Sequence, residues 1–341
     1  MKILVTGGTG YIGAHTVVEL LEEGFEVDVI DNCNNSKPEV IDDIEKIVKK
    51  RPAFFNIDLT DNIKTHQYFE QNKPDAVIHF AAHKAVGLSV EQPLEFYRNN
   101  LLSLINVLQN SLNHQIDHFV FSSSCSVYAD PDKLPIDESA PVKTPKSPYG
   151  NTKKIGEEII ADTVAASPLN AISLRYFNPV GSHDSALIGE MPTSMPLNVM
   201  PIITKVAIGK QNIFTVFGND YPTPDGSCIR DYIHVVDVAK AHVSALRRLL
   251  NKENKKNYEV FNLGTGTGCS VLELINAFEK VTGLKLNYQI THRRDGDAVA
   301  VFADTSLANS ELKWMAERNL ENMIRTAWNW ELRLAGRNDF I

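Results

Sequence analysis

Cysteine is scarce in this chain: four in 341 residues, Cys33, Cys125, Cys228 and Cys269, with no Cys-x-x-Cys pair. That spacing excludes a disulfide framework and a cysteine-ligated zinc site. Missing too is any stretch of the ~20 apolar residues that a membrane span requires. The opening MKILVTGGTGYIG holds an apolar run too short for a signal sequence and broken by glycines. Basic residues are outnumbered, 34 against 42 acidic, for a net charge of −8. A surface of that sign repels nucleic acid and anionic lipid, so an anionic ligand must be held by a few local cations. There is no internal repeat, low-complexity tract or long charge block. What remains is 43% hydrophobic, enough for a packed core, over a length near two typical domains of ~150 residues each. The expectation is a soluble cytoplasmic protein with reduced thiols and no nucleic-acid or membrane partner.

The first half alternates short β-branched runs with helical patterns. Strands are expected over 2–6, 26–31, 53–58, 76–81, 119–124 and 171–177, and helices over 11–23, 41–49, 63–71, 93–112 and 149–165. Strand–helix alternation with strands apolar on both faces argues an α/β fold, a doubly wound parallel sheet of Rossmann type. After Asn178 the texture changes to a Gly-, Pro- and Asn-rich stretch through 232. Helical patterning returns over 233–251, a strand over 258–262, and then a helix (271–281), a strand (286–290) and a Trp-rich terminal helix (320–334). We expect residues 1–178 with about 233–262 to form a dinucleotide-binding unit. Residues 179–232 and 263–341 form a smaller, partly interleaved α/β substrate unit.

Gly7, Gly10 and Gly13 follow the first strand and open the first helix. Glycines there allow a tight turn and let backbone N–H groups approach a pyrophosphate. Asp31 ends the second strand, eighteen residues past Gly13. A carboxylate at that place bonds a ribose 2′-OH and repels a 2′-phosphate, and no Arg follows closely, so NAD is favoured over NADP. Asp58, at the third strand's end, is placed to meet the adenine. Tyr149 and Lys153 share one helix face by their spacing of four. An ammonium beside a phenol lowers its pKa from ~10 and makes it a usable base. Ser124, at the C-terminal end of the fifth strand, offers a hydroxyl where such sheets bind ligands. His79/His83 and His114/His118 lack a third ligand nearby, so no metal is expected. Gly264, Gly266 and Gly268 read as a turn capped by Ser270, and Trp314, Trp328 and Trp330 as packing residues.

Taken together, these motifs resemble the UDP-hexose 4-epimerases of the extended short-chain dehydrogenase/reductase family. The resemblance runs nearly end to end, through VTGGTGYIG, HFAAHKAVG, SSSCSVYA, SPYGNTK, RYFNPVGSH, PLNVMP, FGNDYPTPDGSCIRDYIHVVDVA, FNLGTGTGCSVLEL and RRDGDA. It implies an NAD-dependent isomerase acting through a 4-keto sugar, with Tyr149, Lys153 and Ser124 as catalytic residues. It implies NAD contacts from Tyr11, Ile12, Asp31, Asn32, Cys33, Asn34, Asn35, Ser36, Asp58, Leu59, Phe80, Ala81, Ala82, Lys84, Asn99, Ser124, Tyr149, Lys153 and Phe177. UDP-sugar contacts fall to Lys84, Asn178, Asn198, Phe217, Arg230, Arg294 and Asp297. Two arginines in an acidic chain suit a diphosphate. Val301 aligns with the position that walls the sugar near C2, a tyrosine where only plain hexoses are taken and a smaller residue where N-acetylated ones are too. The resemblance also implies a homodimer using the helix over 93–112. Cys125 and Ser126 stand where the related 4,6-dehydratases carry an acidic pair, which argues against elimination chemistry. The family also contains decarboxylases, and the fold would equally serve a non-catalytic NAD-sensing protein. Small departures from the family pattern are Ala82, Cys125 and Ala129.

Overall fold

The structure, a computed structural model, describes residues 1–191, 198–294 and 297–341. Pro196 and Leu197 of PLNVMP, and Asp295 and Gly296 of RRDGDA, lie outside the described residues. The first half runs β1 (Lys2–Thr6), α1 (Tyr11–Glu22), β2 (Glu26–Asp31), α2 (Val40–Val48), β3 (Ala53–Asn56) and α3 (Asn62–Asn72). It continues with β4 (Ala76–His79), α4 (Val86–Glu91), α5 (Pro93–Asn113), β5 (His118–Ser122), α6 (Pro148–Ala165) and β6 (Asn170–Tyr176). The second half holds β7 (Asn178–Val180), α7 (Val199–Ala207), β8 (Phe214–Phe217), β9 (Ile229–Arg230), β10 (Tyr232–His234), α8 (Val235–Leu250) and β11 (Tyr258–Leu263). It ends with β12 (Cys269–Ser270), α9 (Val271–Thr282), β13 (Tyr288–Thr291), β14 (Ala300–Val301), α10 (Ser306–Glu311) and α11 (Leu320–Leu334).

Seven strands form one sheet in the order β11-β6-β5-β4-β1-β2-β3, every pair parallel. Alternation along β1 shows why helices cover both faces. Ile3 and Val5 pack into a core with α1, α2 and α8, whereas Leu4 points into a second core with α3, α5 and α6. A strand apolar on both faces needs helices on both, which is the doubly wound arrangement expected. The chain turns to opposite sides after β1 and after β4, so a crevice opens at the C-terminal ends of these neighbouring strands.

A third core joins α7, α9 and α11 with Phe214, Tyr232 and Leu286. Ala308, Leu312 and Trp314, in the stretch expected to belong to the second unit, pack into the first core instead. Several local expectations are corrected, the strands expected over 53–58 and 76–81 ending at Asn56 and His79. The fifth strand ends at Ser122, two residues early, because Ser124 caps a 3₁₀ turn over Cys125–Tyr128. The helix expected from 233 starts at Val235, since Tyr232–His234 pairs with β7 as a short strand. A three-residue strand leaves no periodicity to read. Ser270 caps α9 in a reciprocal box with Glu273, as expected. Among the described residues no helix is long and apolar enough to cross a membrane.

Candidate active site

The turn after β1 is shaped by what glycine lacks. Gly7 has φ +69°, and a Cβ there would stand 2.7 Å from the backbone nitrogen of Ala81. A Cβ on Gly13 would stand 2.2 Å from the Gly7 carbonyl oxygen. Side chains at either place would push α1 away from β1 and fill the cradle at the helix N-terminus. Gly10 is the N-cap of α1 and adds no side-chain cap, so the first N–H groups stay available to an anion. Asp31 lies beside this turn and accepts from the backbone of Thr9 at 3.2 Å and of Cys33 at 2.9 Å. Asp58 accepts from Thr60 and, at 3.1 Å, from the Asn32 amide. Burial raises the Asp58 pKa, but these hydrogen bonds outweigh it and hold the carboxyl below its ordinary value.

From this cradle a cavity of about 1660 Å³ runs across the strand ends, larger than the ~300–1,000 Å³ of common ligand pockets. All the expected site residues line it except Cys33, Asn34, Phe217 and Val301. Cys33 and Asn34 sit in the loop after β2, where Cys33 has φ +56° and its thiol lies 3.9 Å from the Thr9 hydroxyl. Phe217 is exposed at the end of β8, with the Arg294 guanidinium 5.2 Å from its ring centre. Val301 pairs in register with Arg230 and packs against the cluster of Val127, Tyr128 and Phe177.

At mid-cavity the residues expected to be catalytic converge. Pro148 occupies the first turn of α6 and Ser147 caps it, fixing the helix start so that Tyr149 and Lys153 face the sheet. Both are buried, as is Ser124. Lys153 donates to the Ser122 carbonyl at 2.5 Å and lies 4.9 Å from the Phe121 ring centre. One electrostatic expectation is corrected. Burial pushes the Tyr149 phenol well above its usual range; neighbouring Tyr176 and Cys125 add to this, and a hydrogen bond with Ser124 opposes it. The same burial pulls Lys153 down to about 7, with Glu157 opposing. A phenolate is therefore not a property of the chain alone, because desolvation outweighs a single lysine one turn away.

The far half of the cavity is cationic. Asp297 bridges Arg294, at 2.8 Å, and Arg230, at 3.6 Å, and so gathers two guanidinium groups in one place. Arg230 is also held by the carbonyls of Ile229 and Ala298. Asn178 donates to the Asp231 carbonyl. Lys84 and Asn198 both donate to the Glu190 carboxylate, at 2.7 and 3.2 Å. Asn99 lies nearer the cradle, bonded to Asn100.

Several functional residues give no signal in the sequence. Asp231 is fully buried, and its carboxylate accepts from the backbone of Thr265, Gly266 and Ala303, so it pins the glycine turn after β11. Tyr232 lines the cavity with a buried hydroxyl that has no partner among the described residues. Glu190 stands in an aperiodic stretch. Trp330, expected to pack, also donates to the Glu190 carbonyl at 2.9 Å.

The cradle, Asp31 and the long cavity fit a dinucleotide, and Tyr149, Lys153 and Ser124 at its centre define a short-chain dehydrogenase/reductase. The chain belongs to the NAD dependent epimerase/dehydratase family, whose pattern matches residues 3–264. It is 47% identical to the UDP-glucose 4-epimerase of Haemophilus influenzae, over 97% of each chain. Its fold matches the crystal structure of UDP-glucose-4-epimerase from Stenotrophomonas maltophila with bound NAD and formylated UDP-arabinopyranose. That match has a TM-score of 0.95 at 44% identity, covering 98% of this chain and 99% of that one. UDP-glucose 4-epimerase from Bifidobacterium longum, in complex with NAD+ and UDP, matches with a TM-score of 0.92 at 43% identity over 98% of each chain.

Proposed function

We propose that the protein interconverts UDP-glucose and UDP-galactose by inversion at C4, with NAD held in the cradle. The observation that carries this is the single cavity in which Tyr149, Lys153 and Ser124 stand between the Gly7–Gly13 turn and the Arg230–Asp297–Arg294 cluster. NAD held there would supply the hydride acceptor, and then the hydride donor, for C4. Tyr149 takes the 4-OH proton while the Ser124 hydroxyl holds that oxygen. The Lys153 ammonium stabilises the phenolate electrostatically and would hold the nicotinamide ribose. Arg230 and Arg294 anchor the diphosphate, so the 4-keto sugar can turn over while its nucleotide stays in place. Elimination is disfavoured: burial pushes the Cys125 thiol up to about 12, and Ser126 is no acid. Incubating the purified protein with UDP-glucose and following UDP-galactose tests the proposal. Retained NAD with no turnover of either sugar favours a non-catalytic NAD-sensing role.

The finer proposal extends to N-acetylated UDP-hexoses. A tyrosine at 301 overlapping an acetamido group would cost ~1–3 kcal/mol or more; Val301, which packs behind the cavity against Val127, Tyr128 and Phe177, carries no such ring. We also propose a cytoplasmic homodimer paired across α5, on which Leu94 and Ile105 are exposed; light scattering at micromolar concentration tests the pairing.

A further inference from the structure

Glu157 continues the ladder of Tyr149 and Lys153 on α6, a further four residues on, and all three side chains are buried. Its carboxylate is gripped by Arg175 of β6 through two bonds, Nε to Oε1 at 2.9 Å and Nη2 to Oε2 at 2.5 Å. Ser123, next to Ser124, donates to the same Oε1 at 2.5 Å. Arg175 donates onward to the Tyr128 hydroxyl at 2.9 Å, and Tyr128 donates to Asn262 of β11. The catalytic face of α6 is thus fixed to the end of β5 twice, through Lys153 to Ser122 and through Ser123 to Glu157.

Buried ion pairs with well-packed alternatives are weak sources of stability, so the pair calls for a chemical reason. Around Lys153 stand Tyr149 and Glu157 from α6, His79 from β4, the Phe121 ring and Ser122 carbonyl from β5, Tyr176 from β6 and His242 from α8, with Arg175 of β6 behind Glu157, bonded to both its carboxylate oxygens. Burial holds His79 and His242 uncharged, near 3 and 4. Glu157 is then the negative charge acting on the Lys153 ammonium, and Arg175 offsets part of it.

We propose that Glu157 and Arg175 are a positioning pair that sets the proton occupancy of Lys153, Glu157 holding the proton on and Arg175 limiting that hold. The proposal rests on the epimerase reading for its catalytic consequence. It predicts opposite effects from its two halves. E157Q removes the attractive charge and leaves Arg175 unopposed, so Lys153 loses its proton at lower pH. R175M leaves the carboxylate undiluted, so Lys153 keeps its proton to higher pH.

The test is the pH dependence of kcat for the NAD-loaded enzyme, together with the pH titration of the Lys153 Cε resonance by NMR, assigned by its absence in K153M. The alkaline limb and the resonance should both move down by about one pH unit or more in E157Q and up in R175M. If E157Q does not fold, R175M alone carries the sign, and E157Q/R175M should titrate near the parent protein. A fall in kcat in both variants with an unmoved limb and resonance overturns the proposal and leaves a structural pair. Movement in the same direction overturns it too. Should the parent protein turn over no UDP-sugar, the epimerase reading fails, and the NMR titration still decides the pair.

Discussion

Thr9 donates its backbone N–H to the carboxylate of Asp31 at 3.2 Å, joining the glycine turn after β1 to the tip of β2. The acid proposed to read the ribose is thereby positioned by the loop proposed to receive the pyrophosphate. Cys33 N–H at 2.9 Å and the Ser36 hydroxyl at 3.3 Å take the other oxygen, so the group is oriented before any ligand arrives.

Asp31→Ala removes both the acceptor for a 2′-OH and the charge that repels a 2′-phosphate. The ratio of NAD to NADP affinity, measured by titration of stripped protein, should fall towards unity. An unchanged ratio would mean that the ribose is read elsewhere.

Tyr149→Phe keeps the ring that packs in the cavity and removes the proton acceptor. Turnover of UDP-glucose should drop by at least ~10²-fold, the lower range for a lost general base, while NAD stays bound. Near-normal kcat would assign the base to another group.

Val301→Tyr tests substrate breadth. The parent protein should act on UDP-N-acetylglucosamine as well as UDP-glucose, and the variant on UDP-glucose alone. Absence of N-acetyl turnover at saturating substrate in the parent would refute the Val301 argument without touching the C4 chemistry.

Acid should weaken the fold early. Burial pulls His15 and His79 down to about 3, His234 to about 2 and His242 to about 4, from an ordinary 6.5. Between those values and 6.5 the unfolded chain binds more protons than the folded one, so stability rises with pH in that window and is fully present above it. The histidine contribution to the melting temperature should be complete above about pH 7 and be lost steadily from about 6.5 towards 4, with Glu19, raised to about 7, offsetting part of it and Lys153, held near 7, adding a further rise above pH 7. His242→Gln should make that slope shallower; a slope identical to the parent's would remove His242 from the account.

By itself the sequence determined the first βα turn, the acid at the tip of β2, the helix that carries Tyr149 and Lys153, and the doubly wound sheet. All of these are local: a glycine spacing, an i, i+4 pair, apolar runs between turns, each fixed by backbone geometry within a few residues. Tertiary structure alone decided the rest. Glu190 meets Lys84 across 106 residues, and Asp231 anchors the turn at Thr265 across 34. The Tyr149 phenol is pushed up by burial that no spacing records. The short strands β7, β9, β10, β12 and β14 pair because the fold brings segments distant in sequence together, not because their own residues repeat. Contacts of that kind depend on where the sheet places distant segments, and a linear pattern carries spacing along the chain but no distance across the fold.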